Sequence, residues 1–126
     1  MSSEFLREEN AIVEKSKRFA LRIIKLYQHL CAEKREYVLA KQLLRSGTSI
    51  GANIREALRG QSRADFYAKL TIALKEADET AYWLELLYVS GYIGKRGFES
   101  LYGECQELIR LLVSITKTLK NSETGN

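Results

Sequence analysis

Apolar residues recur along this chain at the three-and-four spacing of an α-helix, and they do so in four runs. In the first, Ile12, Ser16, Phe19, Ala20, Ile23, Leu26, Tyr27 and Leu30 share one face. A charged break, Glu33 to Glu36, separates it from a second stripe of Ala40, Leu43, Leu44, Gly47, Ile50, Gly51, Ile54, Ala57 and Leu58. Gly60 then stands where a helix C-terminal cap belongs, and Ser62 with Asp65 three residues on resembles a capping box opening a third helix. That helix carries Phe66, Leu70, Ala73, Leu74, Ala77, Ala81, Leu84, Leu87 and Tyr88 on one side. After a loop marked by Gly91, Gly94 and Gly97, a fourth stripe runs from Phe98 to Leu119, and a polar tail, expected to fray, covers residues 121–126. The spacing predicts helices over residues 10–33, 37–59, 62–90 and 97–120, in one domain spanning 1–126. Short connections place consecutive helices antiparallel, and each has an apolar face to hide. The expected fold is all-α, an up-down-up-down four-helix bundle.

Composition agrees with that reading. A chain of 126 residues can bury a core without disulfides or metals, and 45% hydrophobic against 29% charged content is that of a soluble globule. It has no proline to interrupt a long helix. Residues 1–10 are polar and acidic with no apolar signal-peptide core, and no apolar run approaches the roughly 18 residues of a membrane span. A cytoplasmic protein with no membrane contact is expected. Cys31 and Cys105 lack the spacing of a redox or zinc motif and are read as reduced packing residues. Gly47 and Gly51 cost about 1 kcal/mol each inside a helix, which close approach of a neighbouring helix would offset.

Catalysis finds little foothold. A ferritin-like di-metal site needs two Glu-x-x-His motifs, whereas this chain has one histidine, His29, with Leu26 where the glutamate would stand. Glu76 and Glu79 share a helix face, but no nucleophile or base is spaced to join them, so ion pairs with Arg45 or Arg55 are the expectation. Ser46 to Gly51 lacks the P-loop pattern and a preceding strand. No enzyme activity, metal or cofactor is expected.

Two features do point to partners. The net charge of +4 is unevenly spread: residues 1–63 hold 13 Lys and Arg against 7 Asp and Glu, a net of +6, while residues 64–126 hold 7 against 9, a net of −2. In the basic half, Lys15, Arg18, Arg22 and Lys25 fall within an arc of about 80° on the first helix, and Lys41, Arg45, Arg55 and Arg59 within a similar arc on the second. Such ribbons can neutralise phosphates of RNA or DNA without reading sequence. They can equally be a solvated face combined with ion pairs between subunits. The second feature is apolar surface off the main stripes: Leu21, Ile24, Ile72, Tyr82, Trp83, Leu86 and Tyr92. It indicates either self-association, with Trp83, Tyr82 and Leu86 as contacts, or a wide monomer core.

The runs Lys15 to Ala20 (KSKRFA), Lys41 to Ala57 (KQLLRSGTSIGANIREA) and Lys75 to Leu84 (KEADETAYWL) resemble a bacterial four-helix-bundle family. Its members include proteins encoded in intervening sequences of large-subunit ribosomal RNA genes, and a related group is the accessory variability determinant of diversity-generating retroelements. The resemblance covers residues 10–118 and is closer to the intervening-sequence group. It implies a protomer that assembles into a barrel-like homopentamer with a basic surface. In the retroelement group it further implies binding to nucleic acid and to a reverse transcriptase. It brings no catalytic residues. Arg45, Arg55, Glu56, Glu76 and Glu79 fall within its central motifs, where charged residues would pair inside or between subunits.

Overall fold

The computed structural model describes residues 3–124, with side chains described through Asn121. Four helices account for it: α1 (Ser3–Ala32), α2 (Val38–Leu58), α3 (Arg63–Val89) and α4 (Lys95–Thr124). No strand occurs among the described residues. Each helix packs on two others in cyclic order, α1 on α2 and α4, and α3 on α2 and α4; among the described residues no Cα atoms of the diagonal pairs come within 8 Å of each other. Residue pairs across each seam run in opposite senses: Ile23 with Gly47 and Ser16 with Gly51, Arg45 with Glu76 and Glu56 with Lys69, Tyr88 with Phe98 and Ala77 with Cys105. The helices are therefore antiparallel around a common core.

That core takes one side chain per turn from each helix, with Phe19, Ile23, Leu43, Ile50, Leu84 and Leu112 all fully buried. α1 begins well before residue 10 because Phe5, seven residues ahead of Ile12, continues its stripe and is buried. α4 likewise starts at Lys95 and persists to Thr124; of the tail expected to fray, residues 121–124 are helical and 125–126 lie outside the described residues. Leu58, placed on the α2 stripe by its spacing, is instead 44% exposed, since it sits on the flank turned toward α1.

The helix ends follow local chemistry. Arg35 turns the chain with a left-handed backbone (φ 53°), and the Glu36 carboxylate accepts from the N–H groups of Leu39 and Ala40, capping α2 in place of a side chain at Tyr37. Ser62 accepts from the Asp65 N–H at 3.0 Å, as the capping pattern requires. At the end of α3, Gly91 adopts φ +84°, its N–H bonds to the Tyr88 carbonyl and the Tyr92 N–H to that of Leu87. This is a Schellman turn, and it seats Tyr92 against the core, so that residue is part of the protomer's own packing.

The two helical glycines have the role their spacing implied. A Cβ on Gly47 would lie 2.9 Å from Ile23 Cγ2, and one on Gly51 would lie 3.3 Å from Ser16 Oγ. Their missing side chains set the distance between α1 and α2.

Candidate nucleic-acid interface

The eight cations of the two sequence ribbons do not form one face. On α1, Lys15 pairs with Glu107 and Arg22 with Glu104, so this flank turns toward α4. Arg18 is exposed beside the same two carboxylates, lining a small cleft with them, and Lys25 is exposed. On α2, Arg45 leans the other way, toward α3, and bridges Glu76 at 3.1 Å and Glu79 at 2.6 Å. The hydrogen bond from Arg45 holds the Glu79 carboxyl below the ordinary carboxylate range, helped by a hydrogen bond from Trp83 Nε1 at 3.1 Å. Lys15, Arg22 and Arg45 thus have anionic partners within the protomer. The expected pairing of Glu76 and Glu79 with arginine is present, through Arg45.

Arg55 and Arg59 reach a different place. They line a groove between α1 and α2, about 480 Å³ in volume, together with Lys17, which lies outside both ribbons. Val13, Ala20, Ala52 and Leu58 supply its apolar surface, and no carboxylate lines it. Lys17, Arg55 and Arg59 make no ion pair among the described residues. Arg55 and Arg59 also border a second cleft, on the side of α3, with Glu56 and Asp65, and there Glu56 pairs with Lys69 at 3.1 Å.

The antiparallel arrangement gathers further positive charge at the end of the bundle where α1 and α3 finish and α2 and α4 begin. Lys25 and Lys41 lie near it, and the α1–α2 turn adds Lys34 and Arg35 while the first turn of α4 adds Lys95 and Arg96. All six are exposed. Of the carboxylates at this end, Glu33 is exposed in the α1–α2 turn beside Lys34, Glu36 is engaged in capping, and Glu99 lies 3.8 Å from Lys95. In the sequence, Lys34 and Arg35 read only as a helix break; placing them beside the Gly91–Gly97 loop required the antiparallel topology.

The apolar residues off the main stripes separate in the same way. Trp83 and Leu86 are half-buried; Trp83 packs against the core, is tied to Glu79 and is tilted on Tyr82 with ring centroids 5.4 Å apart. Ile72, Tyr82 and Val89 are 41%, 54% and 82% exposed on the outer side of α3. Exposed Lys75, Asp78 and Glu85 stand among them, and α1 likewise leaves Leu6, Val13 and Leu21 exposed. Among the described residues, no group of three or more His, Cys, Asp or Glu side chains could hold a metal ion, and no helix is long and apolar enough to cross a membrane.

Comparison with known proteins sets these features in a family. Residues 8–114 match the family model described as 23S rRNA-intervening sequence protein. A solved structure from Bacteroides thetaiotaomicron VPI-5482, described as a protein with unknown function from the S23 ribosomal protein family, is similar over 87% of this chain and 98% of its own. The two are 55% identical and superpose with a TM-score of 0.86. No curated protein matches the chain.

Proposed function

The chain belongs to the 23S rRNA-intervening sequence protein family, and from that premise we propose that it is a non-enzymatic homo-oligomer, a pentamer in closed form, that holds RNA or DNA by the backbone. The observation that carries the nucleic-acid reading is the division of its cations. Lys15, Arg22 and Arg45 are neutralised inside the protomer, whereas Lys25, Lys34, Arg35, Lys41 and Arg96 gather near one end without an ion pair among the described residues. Lysines and arginines grouped this way suit successive phosphates, and their spacing along a turn and two helix starts suits a backbone more than a base edge. The self-association reading is supported by large apolar side chains that the protomer leaves exposed, among them Leu21 on α1, Leu58 on α2, and Ile72, Tyr82 and Val89 on α3.

A fluorescently labelled structured RNA titrated at several salt concentrations tests the nucleic-acid reading. Affinity should fall steeply with salt. Combining Lys34→Ala, Lys41→Ala and Arg96→Ala should weaken binding for every sequence tried and flatten the salt slope by roughly 0.7–0.9 for each phosphate that is no longer neutralised. Binding that ignores salt, or that survives the triple substitution unchanged, would leave the second reading: a protein-interaction scaffold that does not itself touch nucleic acid. What favours that alternative is the same set of exposed apolar side chains.

A further inference from the structure

We infer that the cationic end of the bundle takes unpaired nucleotides, with the ring of Tyr37 as the platform on which a base stacks. The inference rests on the nucleic-acid reading above and names the class of strand that this end takes.

Tyr37 stands apart from the other tyrosines of the chain. Tyr27, Tyr67, Tyr92 and Tyr102 pack against the core, Tyr88 is stacked on Phe98 with centroids 4.4 Å apart, and Tyr82 is tilted on Trp83. Tyr37 is 51% exposed, and its side chain makes no hydrogen bond or ring contact among the described residues. It does not serve the helix that it opens either. At the N-cap of α2, a Ser, Thr, Asp or Asn side chain would satisfy a free backbone N–H; here the neighbouring Glu36 carboxylate does so instead.

The surroundings of the ring say what it can hold. Lys34 and Arg35 precede it in the turn, and Lys41 stands one helical turn beyond, its N–H bonded to the Tyr37 carbonyl at 3.2 Å. All three are exposed and make no ion pair among the described residues, and they outnumber the one exposed carboxylate of the turn, Glu33. Antiparallel packing of α2 on α3 brings the finish of α3 to the same end, where Val38 and Val89 add apolar surface at 73% and 82% exposure. An exposed ring with cations before and after it matches a nucleotide strand, whose phosphates fall to lysine and arginine and whose base falls to the ring. Stacking requires a base with a free face. Inside a duplex both faces are covered by neighbouring pairs, so the ring serves single strands, loops and bulges. Every base has such a face, which makes the contact tolerant of sequence.

Fluorescence anisotropy on the full chain tests this with three labelled probes of equal length: an oligouridine, an oligodeoxythymidine and an RNA duplex. The parent should bind both single strands more tightly than the duplex at the same salt. Tyr37→Ala should weaken single-strand binding about 5- to 140-fold, the loss of one stacked base. Stacking releases no counterions, so the salt slope should stay as in the parent and duplex affinity should change by less than about twofold. Tyr37→Trp should bind single strands as the parent does. Both variants should keep the parent's helical circular dichroism, because the side chain is exposed. Equal losses on single strand and duplex, an unchanged Tyr37→Ala, a parent that prefers the duplex, or a Tyr37→Trp as weak as Tyr37→Ala would each overturn the proposal while the nucleic-acid reading stands. A parent that binds none of the three probes at low salt removes that reading and this proposal with it.

Discussion

Gly47 and Gly51 occupy one stripe of α2, four residues apart, yet a methyl group at each meets different surroundings. At Gly47 it would press on the Cγ2, Cγ1 and Cβ atoms of Ile23 at 2.9, 3.0 and 3.3 Å, and Ile23 is fully buried with no room to retreat. Overpacking of this kind costs about 1–3 kcal/mol, against about 1 kcal/mol of helix propensity regained. Gly47→Ala should therefore destabilise the fold by up to about 2 kcal/mol. At Gly51 the nearest atom is the Ser16 hydroxyl at 3.3 Å and the next is at 3.6 Å, so Gly51→Ala should fall within about 0.5 kcal/mol of neutral. Urea midpoints at constant slope measure both, and equal losses would contradict the assigned seam. The cysteines divide similarly. Burial pushes the Cys105 thiol up to about 12, and its Sγ contacts the Ala77 carbonyl at 3.2 Å, whereas Cys31 is only half-buried. A thiol reagent at about pH 8 should label Cys31 first and reach Cys105 only as the protein unfolds, which mass spectrometry of a time course would show.

Between elements, the α2–α3 seam concentrates the polar interactions. Arg45 bridges Glu76 and Glu79, Trp83 donates to Glu79, and one turn away the buried hydroxyls of Ser46 and Thr80 lie 2.9 Å apart. Thr80 also donates to the Glu76 carbonyl at 2.7 Å, so the hydroxyl pair is anchored to the helix that carries the carboxylates. Thr80→Val should cost about 1 kcal/mol. Since Ser46 and Thr80 share one hydrogen bond, Ser46→Ala combined with Thr80→Val should cost less than the sum of the single changes, by roughly 0.5 kcal/mol or more in a double-mutant cycle. Glu79 brings a pH dependence. Glu79 has its pKa lowered in the folded state by the hydrogen bond from Arg45, so the unfolded chain takes up its proton at higher pH. Its contribution is full above the unfolded carboxylate value of about 4.3 and is lost as pH falls through the folded value. Glu79→Gln should lower stability at neutral pH, where the parent's contribution is full, and approach the parent's stability at the acid end of that window, with Trp83 fluorescence reporting the transition because its indole N–H bonds the same carboxylate.

For the molecule as a whole, salt should act on binding and on folding with very different strength. The α1–α4 ion pairs, Lys15 with Glu107 and Arg22 with Glu104, are partly exposed, so each contributes about 0.2–1 kcal/mol at most. Moderate salt should lower Tm by no more than roughly 5 °C, while nucleic-acid affinity drops by orders of magnitude. Parallel melting curves and titrations in the same buffers check this. A large loss of Tm would mean that the seams rest on charge more than on the core.

The four helices, the cap at Ser62 and the purpose of Gly47 and Gly51 were legible in the sequence, because helical periodicity and capping are set by residues within a few positions of one another, whereas the C-cap geometry expected at Gly60 belongs to Gly91, which the sequence marked only as part of a loop. The early start of α1 was legible too, in Phe5 seven residues before Ile12, although the polar residues around it masked the stripe. The fate of each cation was not. Lys15 and Arg22 share a helix face with Arg18, but their partners lie 92 and 82 residues away on α4. Arg45 and Arg55 share another face, yet Arg45 bridges carboxylates on α3, whereas Arg55 stands between the α1–α2 groove and a cleft that holds Glu56 and Asp65, making no ion pair among the described residues. Sequence by itself determined which residues face inward on each helix, since that follows from the roughly 3.6 residues in each turn. Only the tertiary structure decided which charges are neutralised, which gather at one end of the bundle and which apolar side of α3 stays uncovered, because those depend on the helices that antiparallel packing brings alongside.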